Sequence, residues 1–272
     1  MKRPDWAAVV LVLWALLALA APWLPLQPER IELPAILAPP GAGHWLGADD
    51  LGRPVLDRLL AGARVSFLVA AWVVSLSFVF GSLVGSAAAY AGGLWDRLLV
   101  LVIDVFMAFP GILLAIALAG LLGPGIDNLV LALTLVGWVG YARLARAQVL
   151  SVRQREHVLA AVALGSRMPR IVARHLLPLV SAPLLVEATF GVAAVVVAES
   201  GLSFLGLGVQ PPDASWGSMI RDGVRYLLVA PHLVLAPGAA LFLVVLSVNL
   251  LGDRLRDRLD VRANERLQGE GA

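Results

Sequence analysis

The sequence has no cysteine and only one lysine among its 272 residues. The absence of cysteine excludes disulfides, thiolate metal sites and cysteine nucleophiles. The single lysine is Lys2, so the chain lacks the Gly-x-x-x-x-Gly-Lys-Ser/Thr motif in which a lysine binds nucleotide phosphates. No sequence pattern pairs a serine nucleophile with a base and an orienting acid. We therefore expect no ATPase site and no other catalytic site in this chain.

Charged residues are also scarce. They make up 15% of the chain, the net charge is +2, and hydrophobic residues make up 60%. A soluble domain cannot bury so large an apolar fraction, and a disordered chain has low hydrophobicity and high net charge. No block of basic residues indicates nucleic-acid binding. The composition therefore predicts a membrane protein.

Six apolar stretches approach the roughly 20 residues with which a helix crosses a bilayer. They cover residues 6–26, 65–95, 98–123, 128–145, 176–201 and 226–252. We predict an all-α polytopic protein with six transmembrane helices. The alternative for the first stretch is a signal peptide, because Lys2 and Arg3 precede it and Ala18-Leu19-Ala20 resembles a cleavage site. We favour a retained helix, since the apolar run continues to Leu26.

Basic residues flank these stretches unequally. With a cytoplasmic N-terminus, fifteen Lys and Arg residues lie inside and six outside, and cytoplasmic loops are enriched in such residues. We therefore predict that both termini are cytoplasmic. The predicted organisation is an N-terminal region with the first helix (1–26), an extracytoplasmic segment with a surface helix (27–64), a transmembrane core (65–260) containing a cytoplasmic loop (143–178), and a cytoplasmic tail (261–272).

The 143–178 loop predicts two short helices. Val158, Ala161, Val162 and Gly165 recur at helical spacing, and Gly165 is expected to end the first helix. Ser166 is expected to cap the second helix, whose apolar and arginine stripes make it amphipathic. Such a helix either lies on lipid headgroups or is presented to a soluble partner protein.

Three blocks of the sequence resemble the second permease type of bacterial ABC importers for dipeptides, oligopeptides and nickel. The family's loop pattern is Glu-Ala-Ala, three residues, Gly, nine residues, Ile-x-Leu-Pro. Here it corresponds to residues 159–178, with departures at Leu159 and His175. The stretches at 44–66 and 199–217 resemble the block after the first span and the link between the last two spans. The resemblance extends over about residues 44–260.

The resemblance implies a type I importer bundle in the inner membrane and four kinds of contact. These are with a sibling permease, with two ATPase subunits that bind ATP and Mg, with an extracytoplasmic binding protein, and with the lipid bilayer. It implies no cofactor in this chain. The residues expected to couple to the ATPase are Ala160, Ala161, Gly165, Ser166, Arg167, Arg170, Arg174, Leu177 and Pro178.

Three acidic residues, Asp104, Glu187 and Glu199, lie inside predicted spans. Ionisable groups in a bilayer are costly and usually face a cavity or a partner, so all three are candidates for the translocation pathway. The alternative is a structural role without substrate contact. Glu187 and Glu199 are 12 residues apart and cannot share one helix face.

A glycine-rich apolar run follows Glu199. Gly201, Gly206 and Gly208 permit close backbone approach or a broken helix, so we predict an outer gate there.

The predicted function is that of a permease subunit importing di- or oligopeptides, and the alternative substrate is nickel or a nickel chelate. Two other classes stay open. One is an ion-coupled secondary transporter that uses the three acids as a proton relay, and the other is a membrane scaffold or receptor. No sequence cluster of histidines and carboxylates indicates a metal site.

Overall fold

The computed structural model describes residues 6–269, with side chains described up to residue 259. Lys2, Arg3 and the side chains of the predicted tail (261–272) lie outside the described residues. Within residues 6–269 the chain is helical and contains no β-strand. The helices are α1 (Trp6–Ala20), α2 (Val55–Ala91), α3 (Gly93–Met107), α4 (Gly111–Leu122), α5 (Ile126–Val152), α6 (Glu156–Ala163), α7 (Met168–Ile171), α8 (Leu177–Phe204), α9 (Trp216–Val224) and α10 (His232–Gly269).

Five segments of the described chain are long and apolar enough to cross a membrane, and a sixth is added if α3 and α4 form one bent span. The five are Trp6–Trp23, Val55–Ala91, Ile126–Val152, Met168–Phe204 and His232–Leu259. The prediction of an all-α polytopic membrane protein is confirmed.

The third predicted span, 98–123, is not one continuous helix. The helix breaks at Ala108, Phe109 and Pro110, and the backbone bends by 86° between α3 and α4. Proline has no N–H for the helical ladder, and it disfavours the helical conformation in the residue before it. Pro110 therefore explains where this apolar stretch divides.

Two predicted short helices are instead parts of longer ones. The surface helix predicted within residues 27–64 corresponds to the first turns of the 37-residue helix α2, which begins at Val55. The predicted second helix of the loop begins as α7, passes through a π-helical turn at Val172–Leu176, and continues into α8. Pro178 has no N–H to donate, so the regular hydrogen-bond pattern cannot continue through it.

The chain divides into two compact units. The first comprises residues 1–72, 115–133 and 192–250, and the second comprises 73–114, 134–191 and 251–272. In the first unit two tryptophans hold α2 through its backbone. Trp14 Nε1 donates to the Ala63 carbonyl at 3.1 Å, and Trp216 Nε1 donates to the Leu59 carbonyl at 3.0 Å. The indole groups thus satisfy their N–H donors while their rings fill the apolar core.

The second unit is built on a close contact between α2 and α5. A side chain at Gly81 would overlap the Trp138 carbonyl, and one at Gly85 would overlap the Ala142 carbonyl. The two helix backbones therefore touch, as small residues at four-residue spacing allow in membrane helices.

Candidate functional site: the 143–178 loop and the intramembrane acids

The end of α6 has the hydrogen bonds of a glycine-terminated helix. The Gly165 N–H donates to the Val162 carbonyl at 2.9 Å, and the Ser166 N–H donates to the Ala161 carbonyl at 3.0 Å. Gly165 has φ of +77°, a conformation that favours glycine. The prediction that Ser166 caps the next helix is wrong, because Arg167 is the N-cap of α7 and makes no side-chain capping bond. Ser166 instead belongs to the turn that ends α6.

Helix α6 buries one side and exposes an apolar side. Val158 and Ala161 are buried, whereas Leu159 is 53% exposed and Leu164 is 86% exposed. We call the exposed apolar residues the α6 surface; its members are Leu159, Ala160, Val162, Ala163 and Leu164. Contiguous exposed apolar residues mark a place where another protein or a lipid surface binds.

The amphipathic stripes predicted after Gly165 have separate environments. Ile171, Val172 and Leu176 are buried in the core of the second unit, and Met168 is exposed beside the α6 surface. The polar stripe of Arg167, Arg170 and Arg174 is exposed. Leu177 is half-buried and Pro178 is exposed. The apolar stripe therefore anchors α7 within this chain, and the arginines are left on the surface.

Glu199 is fully buried in the first unit and accepts three hydrogen bonds from serine hydroxyls. Ser66 Oγ and Ser203 Oγ each donate to the carboxyl group at 2.9 Å, and Ser200 Oγ donates at 3.3 Å. We call these four residues the Glu199 cluster. Burying a carboxyl group is costly unless it is hydrogen-bonded, and these hydroxyls supply the bonds. These bonds fit the structural role that the sequence left open as the alternative for Glu199, and its assignment to the translocation pathway stays a prediction.

Asp104 and Glu187 have the opposite environment. Both belong to the second unit and are exposed, Asp104 from α3 and Glu187 from α8. Within the described part of the chain, neither carboxylate has a hydrogen-bond or ion-pair partner. Their assignment to the translocation pathway stays a prediction.

The glycine-rich run closes α8 and packs against the Glu199 cluster. Gly206 has φ of +82° and donates its N–H to the Ser203 carbonyl at 3.1 Å. A side chain at Gly208 would overlap Ser203 Oγ, which also accepts the Val209 N–H at 3.3 Å. Gly201 lies on an exposed face of α8 with no other atom nearby. Local geometry thus requires glycine at two of the three positions predicted as an outer gate.

Sequence reasoning missed a buried group of charges in the 44–66 block. Asp49 Oδ2 lies 2.7 Å from Arg53 Nε and 3.4 Å from Arg58 Nε. Its other carboxylate oxygen, Oδ1, accepts the N–H groups of Leu51 and Arg53. The sequence signal for this group was the spacing of Arg53 and Arg58, four and nine residues after Asp49. The group holds the segment before α2 onto the start of that helix.

Apolar spans with touching backbones define a polytopic helical membrane protein. A short helix with an exposed apolar surface lies outside those spans. Residues 77–265 match the family described as the inner membrane component of binding-protein-dependent transport systems, and the chain belongs to that family. The recognition of a transport permease in the sequence is confirmed.

Curated relatives cover nearly the whole chain. It is 42% identical over 255 residues to the nickel transport system permease protein NikC of Escherichia coli strain K12, covering 93% of this chain and 92% of that protein. It is 39% identical over 253 residues to the dipeptide transport system permease protein DppC of Alkalihalophilus pseudofirmus, covering 93% and 83%.

The fold also matches a solved structure. A chain of the MetNI methionine ABC transporter in an inward-facing conformation aligns with a TM-score of 0.60 and 19% identity, covering 75% of this chain and 97% of that one. This likeness concerns the fold, and it confirms the predicted importer-permease architecture.

Proposed function

We propose that this chain is the permease subunit of an ATP-driven importer of di- or oligopeptides, which an extracytoplasmic binding protein delivers. The dipeptide permease of A. pseudofirmus and a putative peptide transport permease of Brucella suis, 42% identical over 255 residues, support the peptide assignment. A sibling permease would complete the pathway, and two ATPase subunits would bind ATP and Mg. Both termini would be cytoplasmic, which places α6 on the side of the ATPases.

The observation that carries the ATP-driven mechanism is the α6 surface. Leu164 is the most exposed of the large apolar residues of that surface, and it lies at the turn between α6 and α7. A large apolar side chain in a loop outside the spans is stabilised when a partner protein covers it. Arg167, Arg170 and Arg174 lie exposed beside it and would pair with acidic groups of the same partner.

Asp104 and Glu187 are the pathway residues that this proposal uses. An exposed carboxylate within a span is costly in lipid, so each would face a water-filled cavity or the sibling permease. A carboxylate there complements a cationic group, such as the ammonium terminus of a peptide. Glu199 would support the fold and take no part in binding substrate.

Nickel is the second candidate substrate, because the chain is as identical to a nickel permease as to the Brucella peptide permease. Within the described residues no group of three or more histidine, aspartate or glutamate side chains could hold a metal ion. A nickel ion carried in a chelate would need no such ligands, since the chelator supplies them.

The substrate test is uptake of a labelled dipeptide and of labelled nickel in cells with and without the gene. We expect only peptide uptake to fall when the gene is removed. Loss of nickel uptake alone would replace the peptide assignment by the nickel one. In the same cells, uptake that persists without an ATPase partner would contradict the ATP-driven mechanism.

The docking test uses the absence of cysteine, which allows a single cysteine to be introduced without background. Leu164→Cys should cross-link to an ATPase subunit when the assembled transporter is treated with a short reagent that couples a thiol at one end and forms a photo-induced bond to any nearby residue at the other. The matched control is Gly43→Cys, because Gly43 is also exposed in a loop but lies in the segment predicted to be extracytoplasmic. Equal ATPase cross-linking from both positions would contradict the docking site and the predicted orientation.

A further inference from the structure

Two arginines hold the turn that joins α2 to α3: Arg146 of α5, and Arg153, the first residue after α5. Arg146 binds Asp96 through two parallel bonds, from Nε to Oδ1 at 2.6 Å and from Nη2 to Oδ2 at 2.8 Å. Both side chains are partly exposed, with relative exposures of 29% for Arg146 and 20% for Asp96. A two-point bond between a guanidinium and a carboxylate fixes orientation as well as distance. The start of α3 is therefore held in one position against α5.

The second arginine binds the last turn of α2. Arg153 Nη1 donates to the Ala89 carbonyl at 3.0 Å, and Ala89 is fully buried. The final carbonyls of a helix have no partner within the helix, so a guanidinium there satisfies one and complements the helix dipole. Arg146 lies in α5, and Arg153 directly follows its last residue, Val152, with the Arg153 N–H donating to the Val149 carbonyl at 2.9 Å.

These contacts lie directly beside α6. Arg155, two residues after Arg153, is the N-cap of α6. Val158 of α6 is buried in the same apolar core as Val149 of α5 and Ala89 of α2. The core and the two arginines thus join the start of α6 to the end of α2 within one compact unit.

We propose that Asp96, Arg146 and Arg153 are positioning residues that transmit displacement of α6 to the turn between α2 and α3. The inference rests on the proposed docking of an ATPase at the α6 surface. A force on that surface reaches the end of α5 through Val158 and the core around it. Because both arginines hold the turn, the turn moves with α5. The backbone contact at Gly81 and Gly85 then keeps α2 against α5 along the membrane span.

The experiment measures substrate imported per ATP hydrolysed by the complete transporter in vesicles, with its ATPases and binding protein. Arg146→Gln should lower this ratio about fivefold while ATP hydrolysis continues, because contacting residues couple by amounts of that order. The exchanged pair Asp96→Arg with Arg146→Asp should restore most of the ratio. The matched control is Arg97→Gln, since Arg97 adjoins Asp96 and is exposed.

The outcomes separate this inference from the function on which it rests. An Arg146→Gln transporter with the wild-type ratio would overturn the inference while the wild type remains coupled. A role only in stability would lower the amount of transporter but leave its ratio unchanged, and this would also overturn it. If Arg146→Gln fails to assemble, the exchanged pair decides: a wild-type ratio supports the inference, and a low ratio contradicts it. A wild-type transporter that imports without hydrolysing ATP contradicts the proposed function itself.

Discussion

Two glutamates on the same helix have opposite environments. Glu187, in the second unit, is exposed and has neither a hydrogen bond nor an ion pair within the described residues. Glu199, in the first unit, is fully buried and accepts bonds from Ser66, Ser200 and Ser203. Both look alike in the sequence, as acids in an apolar run. The position of a glutamate within a span does not show whether it supports the fold or is free to bind substrate. The side chains that surround it distinguish these two cases.

The hydroxyl groups account for the difference. Ser200 and Ser203 follow Glu199 on α8, and Ser66 reaches it from α2. Around Glu187 the neighbouring positions in α8 are mostly apolar, and Thr189 donates its hydroxyl to the Leu185 carbonyl instead. A buried carboxyl group needs donors, so only the first site supports burial.

The largest expected effect is on stability at Glu199. Glu199→Ala leaves three buried hydroxyls without their acceptor, which we expect to lower the free energy of unfolding by about 3 kcal/mol or more. Thermal unfolding of the purified transporter in detergent measures this, with Glu187→Ala as the matched control on the same helix. The milder variant Glu199→Gln keeps one acceptor oxygen and should fall between the two. Equal unfolding temperatures for Glu199→Ala and Glu187→Ala would remove the distinction between the two sites.

The second prediction concerns transport, for which we expect Glu187 to matter although it contributes little to stability. Glu187→Gln should lower uptake roughly tenfold, as loss of one charge-assisted contact would, while the unfolding temperature stays at the wild-type value. Asp104→Asn should behave in the same way. The measurement is initial uptake of labelled dipeptide, normalised to the amount of transporter in the membrane. Wild-type uptake by both variants would exclude these acids from the pathway.

The sequence predicted those features that depend on residues close together in the chain. The apolar runs indicated the spans, and Gly165 indicated the end of α6. The break at Pro110 was available from the same kind of signal, because proline interrupts helices whatever their surroundings. The close contact at Gly81 and Gly85 was not predicted, although glycines at four-residue spacing are typical of touching membrane helices.

Partners distant in the chain could not be predicted in this way. Ser66 and Glu199 are 133 residues apart, and Asp96 and Arg146 are 50 residues apart. A hydroxyl or an arginine has many possible partners at such separations, and only the packing of the helices selects among them. The partners of Glu199 and of Asp96 therefore came from the structure.

A smaller effect is expected within the Glu199 cluster. Ser203 donates to the carboxyl group and accepts the Val209 N–H, so Ser203→Ala removes two contacts at once. We expect a loss of about 1–2 kcal/mol in the free energy of unfolding. Ser181→Ala is the control, since within the described residues its hydroxyl bonds only to the Pro178 carbonyl of its own helix and is solvent-accessible. A loss at Ser181 as large as that at Ser203 would show that any serine of α8 has this effect.

The smallest effect is expected at Gly201, two residues beyond Glu199 on α8. Gly201 is helical and exposed, so Gly201→Ala should raise the free energy of unfolding by about 0.5–1 kcal/mol. If Gly201 belongs to the predicted outer gate, the added methyl group keeps another backbone from approaching, and uptake should fall despite the gain in stability.

Gly140→Ala is the matched control, because Gly140 is also helical, exposed and without a close neighbour. A rise in stability at both positions with a loss of uptake at Gly201 alone would assign the exposed face of α8 beyond Glu199 to gating. Unchanged uptake at both would restrict the role of the glycine-rich run to the turn at Gly206 and the contact at Gly208.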